Sequence, residues 1–488
     1  MEPAGTVALE SLLRTLASNT RVIGAHDKAI TNIAIDSRQV EPGALFVALR
    51  GEHTDGHRFI AQAAQRGAAA IVMEELCEVP QGVTAIVVPD TARAISSIAD
   101  AFYGSPSKRL IVAGITGTNG KTTASRMTAS MLEAGGIPAG IIGTIGAQLG
   151  EREWPLANTT PLAPQLHALL EEMRSRGARG VAMEVSSHAL ALQRVADIHF
   201  AVGALTNVTR DHLDFHKSFE AYAAAKRHLF DLAARAVLNA DDELGDRWSR
   251  ELRARKPVIT YALHGAADLR AESLDVRAGG SSFRLGGQHF EVRLPGRFNV
   301  ANALCAIGVA RSLGIADADA AHGLASLDRV AGRMDHVSGG GVDVVVDYAH
   351  TPDALENVLR TLRETARQRL IAVFGCGGDR DRGKRPQMGA AAAKYADFTI
   401  VTSDNPRTEN PQAIIEQIVP GLQNAPHAIE PERRAAIENA IRDARAGDVV
   451  LIAGKGHENF QIVGAEVLPF DDLAVAKEAL ARKAPAPL

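Results

Sequence analysis

The segment 114–123, which reads GITGTNGKTT, constrains the fold of this chain more than any other stretch. It follows the apolar run 110–113 and precedes a stretch, 124–132, with the periodicity of a helix. A strand, a glycine-rich turn and a helix start in this order present backbone N–H groups and the positive end of a helix dipole at one point. Lys121 and the hydroxyl of Thr122 can reach phosphate oxygens and Mg²⁺ there. The segment predicts a nucleoside triphosphate site that contains Gly117, Thr118, Asn119, Gly120, Lys121, Thr122 and Thr123.

The glycines of this segment do not have the usual spacing. The common P-loop has four residues between its framing glycines, and Ile115 stands where the first glycine would be. This chain has Gly114, Gly117 and Gly120 at intervals of three residues. The alternative is a glycine-rich turn with a surface lysine, but hydroxyl, lysine and glycine all fall at one strand-to-helix junction.

Length and composition predict a globular protein that acts on small molecules. At about 150 residues per domain, 488 residues indicate three domains. A net charge of -4 does not suit a nucleic-acid partner. The three cysteines form no CxxC pair, which favours a reducing cytoplasm over a disulfide framework or a thiolate metal site. No segment is typical of export or of a membrane span.

The order of apolar runs predicts an α/β fold of three domains. We expect a small N-terminal α/β domain over 1–105 and a central domain with a P-loop-type parallel sheet over 106–333. A C-terminal Rossmann-like, doubly wound domain is expected over 334–488. Paired glycines between Leu274 and Leu294 predict a β-meander, which we expect to edge the main sheet. The first boundary is set by the polar stretch 104–107 and the second by Gly332 and Arg333.

Polar segments follow the predicted strands of the second and third domains. They are EVSSH, TNVTRDHLD, DYAHTPDA, GCGGDRDRGKR, SDNPR and GKGHEN. Ligands of open parallel sheets bind beyond the carboxyl ends of the strands. Because the pattern repeats at six strand ends, it predicts a large composite site.

Two of these segments carry candidate metal ligands. Glu184 ends a strand in the domain of the phosphate loop, and Mg²⁺ prefers such oxygen ligands. A solvated strand-end glutamate is the alternative. The segment TRDHLDFH offers the candidates Asp211, His212, Asp214 and His216. His212 is the one that we favour as a metal contact, and an interfacial hydrogen-bond cluster would explain the others.

Arginines and acids follow strands of the third domain. DNPR spans residues 404–407 and GDRDRGKR spans 378–385, while Glu458 lies in GKGHE. Guanidinium groups bind carboxylates bidentately, and Pro406 stiffens the position of Arg407. An arginine with an opposed glutamate is what binding of a zwitterionic amino acid requires.

Taken together, the motifs of this chain resemble those of the Mur ligases. The motifs are GTNGKTT, NTTP, EVSSHAL, TNVTRDHLDFH, AKRHLF, PGRFNVANALCA, DYAHTPDAL, GCGGDRDRGKRPQMG, SDNPR and AGKGHE. The likeness runs from IDSR at Ile35 to FDD at Phe470. DNPR is the signature of the members that add meso-diaminopimelate.

The resemblance implies three sets of substrate-binding residues. The uridine nucleotide would be held by Ile35, Ser37, His53, Thr54 and Asp55. The muramoyl-dipeptide end would be held by Asn158, Thr159, Thr160, Ser186 and Arg194. Diaminopimelate would be bound by Arg380, Asp404, Asn405, Pro406, Arg407, Gly454 and Glu458.

The same resemblance implies the cofactors and the catalytic groups. Asn302, Arg333 and Asp347 would complete the ATP site, and Thr122, Glu184, His212 and Lys226 would serve Mg²⁺. Lys121, Lys226 and His212 would be catalytic, with Lys226 carbamylated by CO₂, although its helical context alone would predict an exposed lysine. The chain departs from the common family pattern at two positions. Family members often have glutamine two residues before the arginine of the SSHAL segment, whereas this chain has Leu192 there and Gln193 one position later, which weakens the transfer of a substrate contact by that glutamine. Asp335 stands where glutamate is commoner.

The implied activity is ATP-dependent amide ligation. A monomeric cytoplasmic enzyme would add meso-diaminopimelate to the D-glutamate of UDP-N-acetylmuramoyl-L-alanyl-D-glutamate through an acyl phosphate. The alternatives within this chemistry are addition of lysine or another amino acid and folylpolyglutamate synthesis. A nucleotide-binding switch or motor is the alternative from another class.

Overall fold

The computed structural model describes residues 5–51, 54–277 and 280–483. The chain forms two compact units. The first contains the described residues up to Thr116, together with Gly136–Ala204 and Ala225–Ala236. The second contains Gly117–Gly135, Leu205–Ala224 and the described residues from Val237 onward.

The N-terminal stretch of the chain alternates short strands with short helices. Its elements in chain order are β1 (Val7–Ala8), α1 (Leu9–Leu13), β2 (Arg21–Ile23), β3 (Ala29–Ile30), β4 (Ile33–Ala34), β5 (Leu45–Val47), α2 (Ile60–Gln65), β6 (Ala70–Met73), β7 (Thr84–Val87) and α3 (Thr91–Phe102). Short 3₁₀ helices occupy Ser37–Gln39, Gly56–Phe59 and Pro106–Lys108.

The middle stretch continues the alternation of strand and helix. Its elements up to the meander are β8 (Ile111–Thr116), α4 (Lys121–Ala134), β9 (Ala139–Gly143), β10 (Gly146–Leu149), β11 (Arg152–Trp154), α5 (Ala163–Ser175), β12 (Gly180–Glu184), α6 (Ser187–Ala191), β13 (Val202–Leu205), α7 (Leu213–His216), α8 (Phe219–Arg227), α9 (Leu229–Leu232), β14 (Ala236–Asn239), α10 (Glu243–Leu252) and β15 (Val258–Ala262). The stretch ends with β16 (Leu269–Arg270), β17 (Glu272–Arg277), β18 (Gly280–Leu285), β19 (Gln288–Val292), α11 (Arg297–Ser312) and α12 (Asp317–Ser326).

The C-terminal stretch has longer helices between its strands. Its elements are β20 (Asp335–Gly339), β21 (Val342–Asp347), α13 (Pro352–Thr365), β22 (Leu370–Phe374), α14 (Lys384–Tyr395), β23 (Phe398–Val401), α15 (Pro411–Leu422), β24 (His427–Ile429), α16 (Arg433–Asp443), β25 (Val449–Ala453), β26 (Phe460–Val463), β27 (Glu466–Pro469) and α17 (Asp472–Arg482).

The N-terminal sheet of the first unit has the strand order β2-β7-β6-β5-β4. β2 is antiparallel to β7, and the other neighbours are parallel. Successive side chains of a strand point to opposite faces. Leu45 and Val47 accordingly belong to one apolar cluster with α3, while Phe46 belongs to another with α2. The sheet is therefore covered on both faces, as parallel sheets are.

Six strands of the nine-stranded sheet belong to the first unit, in the order β11-β10-β9-β12-β8-β13. β8, β12 and β9 are parallel, and β10 and β11 add an antiparallel edge. Leu166, Leu170 and Met173 of α5 pack on Val112 of β8 and Val181 of β12. The register pairs Glu184 with Ile115, so the carboxyl ends of β12 and β8 lie side by side.

The strands β14, β15 and β16 precede the predicted meander in the chain. Its strands form a separate antiparallel sheet, β17-β18-β19, so our expectation that the meander edges the main sheet is wrong. Phe283 and Phe290 stack with ring centroids 5.4 Å apart, and β19 packs on α12. Because helices cover its apolar face, the meander needs no pairing with a larger sheet. Gly279, one of the predicted turn glycines, lies outside the described residues.

The C-terminal sheet of the second unit has the order β20-β21-β25-β22-β23-β24. β21, β25, β22, β23 and β24 are parallel, and β20 is antiparallel to β21. Apolar clusters cover both faces, with α13, α14 and α15 contributing to one and α16 and α17 to the other. The α/β prediction is confirmed, and this sheet is doubly wound.

Candidate active site

The phosphate loop leads from β8 into α4, and its glycines lie where no side chain fits. Gly120 has φ +86°, and a Cβ atom there would lie 2.2 Å from Oδ1 of Asn302. A Cβ atom at Gly117 would lie 1.8 Å from Oγ1 of Thr206. Both positions therefore require glycine despite the unusual spacing.

The loop is fixed by hydrogen bonds to the segment that follows β13. The Asn119 N–H donates to Oδ1 of Asn207 at 3.0 Å, and the Thr206 hydroxyl donates to the Asn119 carbonyl at 2.6 Å. Oγ1 of Thr118 lies 2.9 Å from the Tyr222 hydroxyl and accepts the Thr209 N–H at 2.9 Å. The segment TNVTRD therefore shapes the loop.

Lys121 lies folded over the loop. Its ammonium donates to the carbonyls of Gly117 at 2.9 Å and Thr118 at 2.8 Å. The ammonium is thus held at the place where the phosphates of a nucleotide are predicted to bind. The N-terminus of α4, fourteen residues long, adds its dipole there.

Asn119 connects the loop to the start of α13. Its Nδ2 donates to Oδ2 of Asp353 at 2.9 Å, and its Oδ1 accepts the Thr351 hydroxyl at 3.3 Å. Thr351 also caps α13 by accepting the Ala354 N–H. Burial raises the pKa of Asp353. Neither contact is indicated by the motif that contains Asn119, since both partners lie in a distant segment of the chain.

Arg333 joins the loop from the other predicted boundary. Its Nη2 donates to Oγ1 of Thr122 at 2.9 Å, and its guanidinium lies 4.7 Å from the ring centre of Tyr348. The buried Nε of Arg333 has no hydrogen-bond partner among the described residues. Asp347 accepts the Met334 N–H at 2.8 Å, and burial raises its pKa to about 6. Asn302 bonds Asn299 within α11.

The second unit contains a cavity of about 150 Å³ at the carboxyl ends of its C-terminal strands. Most of the predicted diaminopimelate residues line it. The lining residues are Asp211, His212, Asp214, Tyr348, His350, Gly375, Cys376, Gly377, Arg380, Asp381, Lys384, Asp404, Asn405, Arg407, Gly454 and Glu458. Polar groups from separate segments of the chain thus converge on one space.

The amide of Asn405 has a fixed orientation in this cavity. Its Oδ1 accepts from Nζ of Lys455 at 3.0 Å and from the Ile462 N–H at 3.0 Å, so this atom is the oxygen. Its Nδ2 donates to Oε2 of Glu458 at 2.9 Å. Burial and the charge of Asp404 raise the pKa of Glu458. Lys455, fully buried, supplies the opposing charge at 3.2 Å from Glu458.

The arginines of the cavity lie on neighbouring loops. Arg407 has φ +52°, and its Nη1 donates to the Gly378 carbonyl at 2.8 Å. Burial and the nearby charge of Arg380 lower the pKa of Arg407. Arg380 donates to the Asp379 carbonyl at 3.2 Å. Two crowded guanidinium groups at one cavity favour a ligand with a carboxylate.

Residues from the TRDHLDFH segment face the same cavity. Oδ1 of Asp211 accepts the N–H of His212 at 2.9 Å. Burial opposes ionisation of Asp211, yet the charges of His212 and Lys384 hold its pKa below the usual range. Nδ1 of His350 donates to the Tyr348 carbonyl at 2.8 Å, and burial lowers the pKa of His350 to about 4.

The first unit has a cavity of its own, of about 1050 Å³. Ile35, Ser37 and Thr54 line it, as do residues that the sequence analysis missed: Arg38, Phe59, Gln62, Tyr103, Pro164 and Gln165. Ser37 donates to Oε1 of Gln62 at 2.7 Å. Asp55 does not line the cavity; it caps the 3₁₀ helix that follows and bonds His57. His53 lies outside the described residues.

A cluster of hydrogen-bonded polar residues lies at the carboxyl end of β12 in the first unit. Glu184, 1% exposed, accepts from N and Oγ1 of Thr144 at 2.8 and 3.0 Å. The Glu184 carboxylate packs directly against Gly143, since a Cβ atom there would lie 2.2 Å from Oε1 of Glu184. Thr144 also bonds the predicted substrate residue Thr159 at 3.1 Å.

The predicted muramoyl-dipeptide residues lie close to that end of β12. Thr160 donates to the carbonyl of Glu184 at 2.9 Å and lies 3.3 Å from Oγ of Ser186, which caps α6. Arg194 donates to the Thr160 carbonyl at 3.1 Å, and burial lowers its pKa. Asn158 is exposed.

Lys226 lies in α8 and is 1% exposed, in contrast to the exposed side chain that its helical context alone predicts. Glu184 and Lys226 belong to the first unit, while Thr122 and His212 belong to the second. Among the described residues, three or more His, Cys, Asp or Glu side chains nowhere cluster as a ready metal site. No described helix combines the length and apolarity that a membrane span needs.

Fold and site define a class of protein. A strand, a glycine turn with lysine and threonine, and a helix bind nucleotide phosphates, and a doubly wound sheet beside them carries a charged small-molecule cavity. That combination is typical of a nucleotide-dependent enzyme that acts on small molecules.

The chain belongs to the Mur ligase family and is an ATP-dependent ligase. Three family models match successive stretches: the Mur ligase family catalytic domain over residues 29–103, the Mur ligase middle domain over 115–310 and the glutamate ligase domain over 332–456. Family membership favours a ligase over the nucleotide-binding switch or motor, which the phosphate loop alone also allowed.

Similar proteins cover nearly the whole chain. UDP-N-acetylmuramoyl-L-alanyl-D-glutamate--2,6-diaminopimelate ligases of Syntrophomonas wolfei and Geobacter metallireducens are 45% and 44% identical, over 94% and 95% of this chain and 96% of each relative. A solved structure of a ligase with that name is 34% identical, covers 98% of this chain and 99% of its own, and has a TM-score of 0.68. A MurF structure from Acinetobacter baumannii, 18% identical with a TM-score of 0.70, shares the fold.

Proposed function

We propose that this ligase adds meso-diaminopimelate to the D-glutamate of UDP-N-acetylmuramoyl-L-alanyl-D-glutamate. The observation that carries the proposal is the small cavity of the second unit, where Arg380 and Arg407 face Asp404 and Glu458. A diamino diacid needs cations for its carboxylates and anions for its ammonium groups. The names of the relatives support this substrate pair.

Amide formation requires activation of the acceptor carboxylate. An oxygen of the D-glutamate side chain attacks the γ-phosphorus of ATP, and the bond to the β-phosphate oxygen breaks to leave ADP and an acyl phosphate. The free amine of diaminopimelate, having lost a proton, then attacks the acyl carbon and expels inorganic phosphate. Lys121, the loop N–H groups and the α4 dipole offset the negative charge that meets at the phosphates.

The residues of this chain fit Mg²⁺. Glu184 and the Thr122 hydroxyl are hard oxygen donors of the kind that Mg²⁺ prefers. The family resemblance implies that Glu184, Thr122, His212 and Lys226 serve Mg²⁺, which when bound supplies charge stabilisation at the phosphates. Lys226 is 1% exposed, and its side-chain nitrogen is the atom that would carry the implied carbamate.

We further propose three domains with boundaries at 105 and 333, and a monomer acting in the cytoplasm on peptidoglycan precursors. Three free cysteines, Cys77, Cys305 and Cys376, agree with a reducing compartment.

The test is a product assay that offers meso-diaminopimelate and L-lysine together with the UDP-dipeptide and ATP-Mg²⁺. We expect the diaminopimelate product to dominate in the wild-type protein. Phosphate release without either substrate, or a dominant lysine product, would contradict the proposal.

Arg407→Lys tests the specificity within the same assay. The variant keeps a positive charge but loses the planar fork, so we expect the preference for diaminopimelate over lysine to fall by about tenfold. Arg442→Lys is the matched control, because the Arg442 side chain is 68% exposed on α16. Diaminopimelate has a second carboxylate that lysine lacks. If Arg407→Lys prefers diaminopimelate as strongly as the wild type does, Arg407 does not recognise that carboxylate.

A further inference from the structure

Two helices that cover the C-terminal sheet are joined by an ion pair that is fully buried from solvent. The side chains of Arg433, at the start of α16, and Asp472, at the start of α17, are both 0% exposed. Nε of Arg433 donates to Oδ1 of Asp472 at 2.8 Å, and Nη2 donates to Oδ2 at 2.7 Å. The Coulombic attraction of Asp472 raises the pKa of Arg433 although burial opposes it.

The same guanidinium also binds the ends of two strands. Nη1 donates to the Ser403 carbonyl at 3.2 Å, beyond β23, and Nη2 donates to the Ala453 carbonyl at 3.1 Å, the last residue of β25. In the strand order β25-β22-β23, these two strands are separated by β22. Arg433 therefore spans the carboxyl edge of the sheet.

Both carbonyls precede residues of the proposed amino-acid cavity. Ser403 is followed by Asp404, and Ala453 is followed by Gly454. Gly454 has φ +119°, and a Cβ atom there would lie 2.4 Å from Oδ2 of Asp404. The two segments thus approach each other closely at the point that Arg433 holds.

We infer that Arg433, oriented by Asp472, is a positioning residue that sets the separation of Asp404 and Gly454 and thereby the affinity for the incoming amino acid. The inference rests on the proposed function. Arg433 does not line the cavity; it binds the two backbone segments, and its charge also interacts with Asp404 and Glu458. A guanidinium suits this role because its rigid fork presents donors in several directions at once, which an ammonium does not.

Three variants of the full chain test the inference. Arg433→Lys keeps the charge, Asp472→Asn keeps the shape of the partner, and Arg433→Met with Asp472→Leu replaces the pair by apolar side chains, a change that buried ion pairs often tolerate. Arg434→Lys is the control, because the Arg434 side chain lies on the same helix, is 44% exposed and pairs with Glu478.

We expect the KM for diaminopimelate to rise at least tenfold in Arg433→Lys and in the double variant. The KM values for ATP and the UDP-dipeptide, and kcat, should stay within threefold of the wild type. A smaller rise in the same KM is expected for Asp472→Asn, and no change for Arg434→Lys. The double variant separates positioning from stability, since its KM should stay high even where its Tm equals that of the wild type.

A diaminopimelate KM within twofold of the wild type in a folded Arg433→Lys or double variant would overturn the inference. Loss of the fold in all three variants would also overturn it, because the pair would then support the whole C-terminal sheet. A wild-type protein that forms no diaminopimelate product would instead refute the proposed function.

Discussion

At the scale of single residues, the phosphate loop is built around contacts that leave no room for change. Lys121 donates to two loop carbonyls, Arg333 donates to the Thr122 hydroxyl, and Gly120 lies against Asn302. These side chains are held in place by neutral oxygens. A nucleotide would offer the same cations a stronger, charged acceptor.

Gly120→Ala should abolish nucleotide binding. The new methyl group would meet Oδ1 of Asn302 at 2.2 Å, and the positive φ strains any other residue. Gly136→Ala, two residues beyond the end of α4, is the control, because Gly136 has φ +76° with open space around its Cβ position. Both variants should lose about 1 kcal/mol of stability from backbone strain, but Gly120→Ala alone should fail in an ADP titration. Equal ADP affinities in the two variants would contradict this account.

His167 predicts a loss of stability in acid. It is fully buried in α5, and neither ring nitrogen has a hydrogen-bond partner among the described residues. Burial lowers its pKa to about 4, although Asp100, 3.6 Å away, and Asp197 oppose the shift.

The sign follows from proton binding. Below about pH 6.5 the unfolded chain protonates this imidazole while the folded chain does not, so stability falls as pH drops from about 6.5 to about 4. The total change is on the order of 3 kcal/mol. Urea unfolding at several pH values should show a smaller acid loss in His167→Leu than in the wild type. Identical pH dependence in the two proteins would exclude His167 as the source.

At the scale of elements, the phosphate loop depends on the helix that starts after β21. Asp353 and Thr351 at the start of α13 fix both ends of the Asn119 amide. The amide is thereby oriented before any nucleotide arrives. The start of α13 therefore stabilises the phosphate loop, which lies more than two hundred residues earlier in the chain.

Asp353→Ala should weaken nucleotide binding without unfolding the protein. Loss of one buried hydrogen bond costs about 1 kcal/mol, so we expect the KM for ATP to rise about fivefold. Asp319→Ala is the control, since Asp319 is an exposed aspartate in the first turn of α12. Steady-state kinetics at varied ATP measure both. An unchanged KM for ATP in Asp353→Ala would show that nucleotide binding does not depend on the hydrogen bond between Asn119 and Asp353.

The elements show which features can be predicted from sequence. Buried parallel strands such as β22 and β25 are continuous apolar runs, and such runs are the pattern from which the α/β fold was predicted. The apolar pattern does not predict the edge strands β20 and β24 or the hairpin β26–β27, because exposed positions interrupt it there. The meander was found from its glycines, but which sheet it joins depends on helix packing that the local pattern does not contain.

The candidate site divides in the same way. Lys121, Asp404, Arg407 and Glu458 lie in short motifs and could be identified from the sequence. Tyr222, Asp353 and Arg433 could not, because each acts through a contact with a distant segment. The burial of Lys226 was equally invisible in its alanine-rich helix.

At the scale of the whole molecule, the two units carry separate cavities. The larger cavity is lined by residues of the first unit and the smaller by residues of the second. The proposed substrates differ accordingly: a large nucleotide-linked precursor for about 1050 Å³ and an amino acid for about 150 Å³. Each ligand should therefore stabilise its own unit.

Hydrogen exchange can test this division. The UDP-dipeptide at a hundred times its Kd should slow exchange in β4, β5 and the 3₁₀ helices of the first unit, and its stabilisation should be about 2.7 kcal/mol. Diaminopimelate should slow exchange around Asn405 and Gly454. UDP alone is the control for the first cavity. Protection by the UDP-dipeptide confined to the second unit would contradict the assignment.

The folded-back Lys121 has a consequence for selectivity among anions. Its ammonium already donates two hydrogen bonds to loop carbonyls. The free energy that an arriving anion gains from Lys121 is therefore its own attraction to the ammonium minus the free energy of the hydrogen bonds that it replaces. A lone singly charged ion gains little from that exchange, whereas a chain of phosphates also engages the N–H groups and the helix end. The folded-back lysine therefore favours a polyphosphate over a single monovalent anion.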